Sequence, residues 1–240
     1  MNAGLKTRPW TMAMCWHDLL FAHWPVPAAE LRALLPRTEP TLELDTFDGV
    51  GWLGVVPFRM GGVRLRGLPP LPGTDAFPEL NVRTYVTAGG CPGVWFFSLD
   101  AASRLAVRIA RATFHLPYFD AAMACTERAG EIHYSSRRTH RDGGTARLEV
   151  RYRATGEPFA SRPGSLEHWL TERYRLFAAD RRGRLWRGEI EHMPWPLRPA
   201  EAEFATLDMT RWLDLALPAQ PPHLLFARKL DVRAWRLARA

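Results

Sequence analysis

The sequence predicts an α+β fold built on one large antiparallel sheet or closed β-barrel, with a few helices outside it. Two observations lead to this prediction. Strand-like segments follow one another at hairpin spacing along most of the chain, and Asp-Gly or Gly-Gly pairs stand in several of the turns between them. The helical segments are short and few. Because the 240 residues show no composition shift and no linker, we predict a single domain over residues 1–240.

The individual elements follow from periodicity and turn signals. Apolar residues that recur every three or four positions predict helices, and strand-like runs joined by turn residues predict hairpins. In the first half we expect a strand at 11–21, a helix at 28–35, a hairpin of 41–47 with 50–60, a long loop at 61–78, a hairpin of 79–86 with 94–99, and a helix at 101–112 with Asp100 as its N-cap. In the second half we expect a hairpin of 131–139 with 145–154, helices at 165–172 and 209–215, a hairpin of 174–179 with 184–191, and strands at 223–227 and 230–237.

The helix expected at 101–112 is amphipathic. Leu105, Ile109 and Ala112 recur on one side of it, and arginines occupy the other. An apolar stripe of this kind normally packs against the core. We therefore predict that this helix lies on the outside of the sheet with its apolar side buried.

The strand expected at 79–86 separates polar from apolar side chains. Because side chains alternate between the two faces of a strand, Glu79, Asn81, Arg83 and Tyr85 share one face. The other face is largely aliphatic and suits a packing layer. The polar face either meets water or lines a polar cavity, and the function depends on which.

Charge and hydropathy argue against two classes of partner. The formal net charge is +7, but the arginines are scattered, and the densest cluster, Arg137–Arg141, is typical of a solvated hairpin tip. Nucleic acid binding calls for a basic face with interleaved aromatic residues, so we predict no nucleic acid partner. No apolar run reaches the ~18 residues that a transmembrane helix needs, so we predict no membrane association.

The sequence gives no sign of a metal or cofactor site. Cys15, Cys91 and Cys125 are far apart and odd in number, which is typical of a reduced, cytoplasmic protein. His17 and His23 lie roughly 20 Å apart if their segment is extended, too far to share a metal. No His-Glu-x-x-His, P-loop, dinucleotide or Gly-x-Ser-x-Gly motif occurs, so we predict no metal and no cofactor.

Several stretches, in chain order, together resemble a known family. They are Trp16-His-Asp-Leu-Leu-Phe-Ala-His-Trp-Pro-Val26, Phe47-Asp-Gly49, Glu79-Leu-Asn-Val-Arg-Thr-Tyr-Val86, Gly93-Val-Trp-Phe-Phe-Ser-Leu-Asp100, Leu116-Pro-Tyr118, Leu170-Thr-Glu-Arg-Tyr174 and His192-Met-Pro-Trp195. The chain resembles the uncharacterised YqjF-like family over nearly its whole length. That family is similar in fold to acetoacetate decarboxylase, which implies a closed, cone-like antiparallel barrel with peripheral helices and a ligand cavity.

The resemblance also implies a change of chemistry. Decarboxylases of that type use a Schiff-base lysine with a second lysine beside it, and Tyr118 and Phe119 stand at the corresponding positions here. Only two lysines occur, Lys6 near the N-terminus and Lys229 on a late strand. Since lysines are mostly solvated, we expect neither of them to replace the missing amine.

We therefore predict a lumen that binds a small carboxylate or keto compound without Schiff-base chemistry. Glu79 and Tyr118 are the candidate catalytic residues, with Glu79 as acid or base and Tyr118 as proton donor. The candidate ligand-binding residues are Arg83 as anion clamp, Asn81, Tyr85 and His192. Two alternatives stay open. In the first, Glu79 and Arg83 each pair with a neighbouring strand or helix and only hold the barrel together; in the second, the protein is a non-catalytic binding, regulatory or structural barrel. Assembly into a homo-oligomer is compatible with the sequence.

Overall fold

The computed structural model describes residues 8–70 and 76–240. Within them the chain forms three α-helices, α1 (Ala28–Leu34), α2 (Arg104–Phe114) and α3 (Leu166–Thr171), and a 3₁₀ helix at Arg211–Leu213. The strands are β1 (Met12–Val26), β2 (Glu43–Leu44), β3 (Gly51–Leu65), β4 (Ala76–Ala88), β5 (Cys91–Ala101), β6 (Tyr118–Arg128), β7 (Glu131–Arg138), β8 (Arg147–Ala154), β9 (Arg175–Ala179), β10 (Leu185–Glu191), β11 (Arg198–Asp208), β12 (His223–Ala234) and β13 (Ala238–Arg239).

Nine of these strands close into a barrel. The ring runs β5-β6-β7-β8-β11-β12-β1-β3-β4 and returns from β4 to β5. The closed barrel with peripheral helices agrees with the sequence prediction. The prediction of a purely antiparallel barrel was wrong, because β5 pairs with β6 in parallel. Parallel neighbours need a long crossover connection, and here the segment that includes α2 supplies it.

A second ring shares one wall with this barrel. Strand β5 also pairs in parallel with β9, and β12 also pairs with β10 through Ile190 and Ala234. Since β9 and β10 form a hairpin, a closed path runs β4-β5-β9-β10-β12-β1-β3. Strands β5, β4, β3, β1 and β12 therefore form a shared wall between the two rings.

The shared wall presents a different environment on each face. Leu80 and Val82 of β4 are fully buried in the largest apolar cluster, together with Leu53 and Val55 of β3 and tyrosines of β7 and β8. The opposite face of β4 carries Glu79, Asn81 and Arg83 into a cavity bounded by the second ring. The alternation expected for this strand is confirmed, and its polar face lines a cavity.

Several elements pair or end differently in the structure from what the sequence predicts. The tight turn expected at Asp48-Gly49 forms, with two backbone hydrogen bonds between Phe47 and Val50. The longer hairpin of 41–47 with 50–60 does not, because β2 pairs with β4 instead. Strand β12 is continuous, where two strands were expected. The expected loop at 61–78 is shorter, because β3 continues to Leu65 and β4 begins at Ala76; its part at 71–75 lies outside the described residues. Strands β6 and β11 were not expected.

Helix α2 begins later than the sequence predicts. Its N-cap is Ser103, whose hydroxyl accepts a hydrogen bond from the Ala106 backbone N–H. Asp100 is instead buried in β5 and pairs with Arg138, so its prediction as N-cap was wrong. The buried residue of α2 is Val107, while Leu105 and Ile109 on the expected packing side are exposed. No helix within residues 8–70 and 76–240 is both long and apolar enough to cross a membrane.

Replacing Gly93 tests the junction that closes the second ring. A Cβ at this position of β5 would lie 2.7 Å from Cε2 of Phe177 and 3.0 Å from the carbonyl oxygen of Arg175. We expect Gly93→Ala to lower the free energy of unfolding by about 1–3 kcal/mol, measured by urea denaturation, because overpacking forces Phe177 to move. Adding Phe177→Leu should recover part of that loss; purely additive effects of the two substitutions would contradict the contact.

Candidate active site

The second ring and the elements around it enclose a cavity of about 280 Å³. Its lining is mainly aliphatic and aromatic, with a few polar side chains. Those polar residues come from five places in the chain, and they are Arg64, Glu79, Asn81, Arg83, Tyr118, Thr171, Arg173, Arg175, Glu189 and His192. An apolar cavity with a few convergent polar groups is the usual form of a small-molecule site.

Glu79 and Tyr118 meet in this cavity. The Tyr118 hydroxyl lies 3.2 Å from Oε2 and 3.3 Å from Oε1 of Glu79. Tyr118 stands at the start of β6, beside Leu99 of β5 in the parallel pairing, and β4 lies on the other side of β5. Tyr134 donates a hydrogen bond to the backbone carbonyl of Glu79, 2.7 Å away, which fixes the strand at this point. The parallel pairing of β5 with β6 thus brings the two candidate catalytic residues together.

Burial controls the protonation of Glu79. Only 2% of the residue is exposed, and desolvation raises the pKa of its carboxyl group to about 8, with a smaller upward contribution from Asp100. The Tyr118 hydrogen bond opposes this shift. Burial and the neighbouring Glu79 in turn raise the pKa of Tyr118 well above its usual value. At neutral pH Glu79 therefore holds a proton that it can donate.

Asp100 lies on the opposite face of the shared wall, where it pairs with Leu80 in register. Its Oδ1 accepts a hydrogen bond from Nε of Arg138 at 2.9 Å, and both side chains are fully buried. Burial raises the pKa of Asp100 to about 6, and Arg138 opposes the shift. The Arg138 guanidinium is stacked 4.2 Å from the Phe119 ring centroid.

Arg83 has no carboxylate partner within 4.0 Å among the described residues. Its Nε is buried without a hydrogen-bond partner, and its Nη2 makes only long contacts of 3.4 Å to the Tyr85 hydroxyl and the Leu170 carbonyl oxygen. The guanidinium also lies 5.5 Å from the Phe21 ring centroid. A cavity-facing arginine with unused donors is suited to bind a carboxylate of a ligand.

Tyr85 lies next to Arg83 on the same face of β4, and it is not among the residues that line the cavity. It is fully buried, and its hydroxyl donates to the Leu170 carbonyl oxygen at 2.9 Å and contacts Nε2 of His23 at 2.6 Å. Burial and the Arg83 cation hold the pKa of His23 well below its usual range. The structure thus places Tyr85 as a support for Arg83 rather than in contact with the cavity.

Two further arginines were not singled out from the sequence. Arg173 donates from Nη1 to Asp45 at 2.7 Å, while its Nη2 is buried without a partner. Arg175 has a buried Nε without a hydrogen-bond partner, and Glu189 lies 3.7 Å away. Arg175 is the first residue of β9, and Arg173 lies two residues before that strand begins.

Asn81 and His192 both line the cavity, as the sequence analysis proposed. Asn81 is buried, and its Oδ1 has no hydrogen-bond partner in the described chain. The His192 Nδ1 donates to the Met193 carbonyl oxygen at 2.7 Å, which leaves Nε2 as a buried acceptor without a partner. Burial lowers the pKa of His192. Both side chains therefore offer an unused acceptor.

The lysines bear on the chemistry of the cavity. Lys229 is exposed on β12 and does not line the cavity, and Lys6 lies outside the described residues.

Within residues 8–70 and 76–240, no group of three or more His, Cys, Asp or Glu side chains is arranged to hold a metal ion.

This architecture is shared with solved structures. Acetoacetate decarboxylase from Legionella pneumophila matches with a TM-score of 0.66 at 12% identity, over 96% of this chain and 87% of that one. The enduracididine biosynthesis enzyme MppR, complexed with pyruvate, matches with a TM-score of 0.64 at 12% identity, over 97% and 91%. At such low identity the likeness establishes the fold, which is that of the acetoacetate decarboxylase-like proteins.

Sequence comparison then gives the family. Residues 13–231 match the DUF2071 family, described as an uncharacterized conserved protein. The uncharacterized protein YqjF of Bacillus subtilis (strain 168) is 46% identical over 236 residues, which cover 98% of this chain and 95% of that protein. The chain belongs to the DUF2071 family, and the resemblance to YqjF-like proteins is confirmed.

Replacing Glu79 tests its raised pKa. Between the unfolded value of 4.5 and the folded value of about 8, the native state holds a proton that the unfolded chain has lost, so native stability falls as pH rises. Glu79→Gln removes this dependence, and its stability relative to the natural chain should increase by up to ~5 kcal/mol from pH 4.5 to pH 8. Urea denaturation at several pH values measures this difference, with Glu149→Gln on the exposed face of β8 as control. A difference that stays constant with pH would contradict the assignment.

Replacing Tyr85 tests the support beneath Arg83. Tyr85→Phe leaves the Leu170 carbonyl and the His23 imidazole without their shared hydroxyl, so we expect a loss of about 1–3 kcal/mol of stability. Thermal and urea denaturation measure it. A double-mutant cycle with His23→Phe isolates the hydroxyl–imidazole contact, and additive single effects would show that the contact contributes nothing.

Proposed function

We propose that this protein is an enzyme that binds a small carboxylate-bearing keto compound in the cavity and acts on it by acid–base catalysis. The observation that carries the proposal is the protonated Glu79, held beside Tyr118 in an apolar cavity that Arg83 also lines with unused donors. A proton donor and an anion-binding group in one cavity suit a substrate that has both a carbonyl group and a carboxylate.

The chemistry assigned to Glu79 is a reversible proton transfer. Glu79 donates its proton to the carbonyl oxygen of the substrate while a water molecule takes the proton of the adjacent C–H bond, or while carbon dioxide leaves from the adjacent carbon, and the bonding electrons form an enol. The ionised Glu79 then takes the proton back from the enol hydroxyl group as water protonates the enol carbon, which gives the ketone. Tyr118 stabilises the ionised carboxylate through its hydroxyl group. Because the cavity is largely apolar, electrostatic interactions with the charge on Glu79 are stronger there than in water.

The proposed chemistry is lyase-type and needs no Schiff base. Lys229 is exposed and outside the cavity lining, and the position beside Glu79 is occupied by the hydroxyl of Tyr118. An amine acts as an electron sink in Schiff-base catalysis, whereas here a neutral carboxylic acid would polarise the carbonyl directly. Arg83 would hold the carboxylate, and Asn81 and His192 would accept hydrogen bonds from substrate hydroxyl groups.

The structural neighbours support an enzyme rather than a non-catalytic barrel. Acetoacetate decarboxylase and MppR are both named as enzymes, and MppR was solved with pyruvate and with a condensation product of pyruvate. Pyruvate is a keto carboxylate, the class of compound that Glu79 and Arg83 suit. The shared fold does not transfer the reaction, so the proposal depends on the site of this chain.

Binding and proton exchange test the proposal together. Pyruvate and 4-oxopentanoate serve as probes, with affinity measured by calorimetry and deuterium uptake beside the carbonyl measured by NMR in D₂O. We expect Glu79→Gln to bind the probe but to exchange at least ~100-fold more slowly, because general acid–base catalysis contributes about 10²–10⁴-fold. We expect Arg83→Ala to weaken binding at least ~10-fold, and Arg83→Lys to recover part of it.

The exposed Arg233 of β12 supplies the matched control, since Arg233→Ala removes an equal charge outside the cavity. It should change neither binding nor exchange. Unchanged binding in Arg83→Ala would rule out the anion clamp. Binding without exchange in the natural chain would favour the non-catalytic alternative.

A further inference from the structure

The exposed part of the cavity lining is mostly apolar. Its exposed lining residues come from the end of β3, the turn that follows, and α2; they are Arg64, Leu65, Leu68, Pro69 and Ile109, and we call them the rim. Leu65 is 49% exposed, Leu68 56% and Ile109 44%. Large aliphatic side chains that are both exposed and continuous with a cavity are a common mark of a ligand entrance.

Helix α2 adds an uncovered apolar stripe to this entrance. The sequence predicts that Leu105 and Ile109 face the core, yet in the structure Val107 is the buried residue and the stripe is open. Ala106, Ile109, Ala110 and Phe114 line the cavity, whereas Leu105 does not. An amphipathic helix turns its apolar stripe to a partner, and here the stripe borders the path to Glu79.

Polarity changes systematically from the rim to the floor of the cavity. Along β4 and β3, Phe77 pairs with Met60, Glu79 with Phe58 and Arg83 with Gly54. Phe77 and Arg83 are six residues apart, which corresponds to ~20 Å along the strand. The β4 and β3 residues at the rim end, Phe77 and Met60, are therefore apolar, Glu79 lies between, and Arg83 lies furthest from the rim along β4.

We propose that the natural ligand is an amphiphile: a carboxylate with a hydrocarbon chain that runs from Arg83 past Glu79 and Tyr118 to the rim. This inference rests on the proposed function and specifies its substrate class. A short acid held by Arg83 leaves the apolar half of the cavity and the rim without a partner. A chain of about sixteen carbons spans the ~20 Å from Arg83 to the rim and covers both. The exposed Arg64 at the rim favours an anionic ligand on approach.

The dependence of affinity on chain length tests the proposal. The probes are straight-chain saturated carboxylates from butanoate to octadecanoate, measured by calorimetry below their micelle concentrations. Each methylene buried in the cavity should tighten binding about fourfold until the chain reaches the rim, after which the gain should stop. Affinity that does not change with chain length would overturn the inference but leave the proposed function standing.

Two variants of α2 make the test specific to the rim. Ile109→Glu places a charge in the rim, and Leu105→Glu places the same charge one turn away, outside the cavity lining. Both positions are about half exposed, so neither change should disturb folding. We expect Ile109→Glu to weaken hexadecanoate binding at least ~10-fold and to leave butanoate unchanged, and Leu105→Glu to change neither.

Three other outcomes would contradict the inference. Equal losses in Ile109→Glu and Leu105→Glu would contradict a chain that exits at the rim. If chain length has no effect and the natural chain binds phosphatidylglycerol vesicles, with the vesicle binding lost in both variants, the stripe contacts a membrane surface and the inference is wrong. If the natural chain binds no carboxylate at any length, the proposed function fails, and the inference fails with it.

Discussion

Strand β4 belongs to two closed rings at once, and the rest of the site depends on this. Because side chains alternate along a strand, successive residues from Glu79 to Arg83 face the cavity and the packed barrel in turn. Leu80 and Val82 are fully buried among aliphatic and aromatic side chains, and Glu79 and Arg83 face the cavity. A slip of one residue in the register of β4 would put a carboxyl group into the apolar core and remove the polar groups of β4 from the cavity.

The local parts of this fold could be predicted from sequence, and the long-range parts could not. Strands β4 and β5 form the expected hairpin, joined by Gly89 and Gly90, both at positive φ. The parallel pairings of β5 leave no local signal, because the partner strands lie far along the chain. Strand β11 was missed because alternating Ala and Glu have a low intrinsic preference for strands, and only its pairing with β8 stabilises it.

The residues of the candidate site also separate into those predicted by local pattern and those that depend on long-range pairing. Glu79, Asn81 and Arg83 could be proposed together because they alternate on one strand, and all three line the cavity. The contact between Glu79 and Tyr118 depends on the parallel pairing, so in the sequence it rested on the family resemblance alone. Tyr85 shares the face of Arg83 by alternation, yet α3 and the residues after it cover that end of β4, so its hydroxyl is used inside the protein. Alternation predicts the face of a strand but not where the cavity ends along it.

The buried pair of Asp100 and Arg138 gives the packed barrel an influence over the cavity that involves no ligand contact. Asp100 lies across the shared wall from Glu79, and its negative charge contributes to the raised pKa of Glu79. Arg138 pairs with Asp100 and therefore sets how strongly the charge of Asp100 acts on Glu79. The Arg138 guanidinium is in turn stacked on Phe119 in the packed barrel. The proton affinity of the cavity acid can therefore diverge between related proteins through residues that no substrate touches. Two proteins with identical cavity linings would then differ in the pKa of the carboxyl group at position 79, and the cause would lie on the other face of the shared wall.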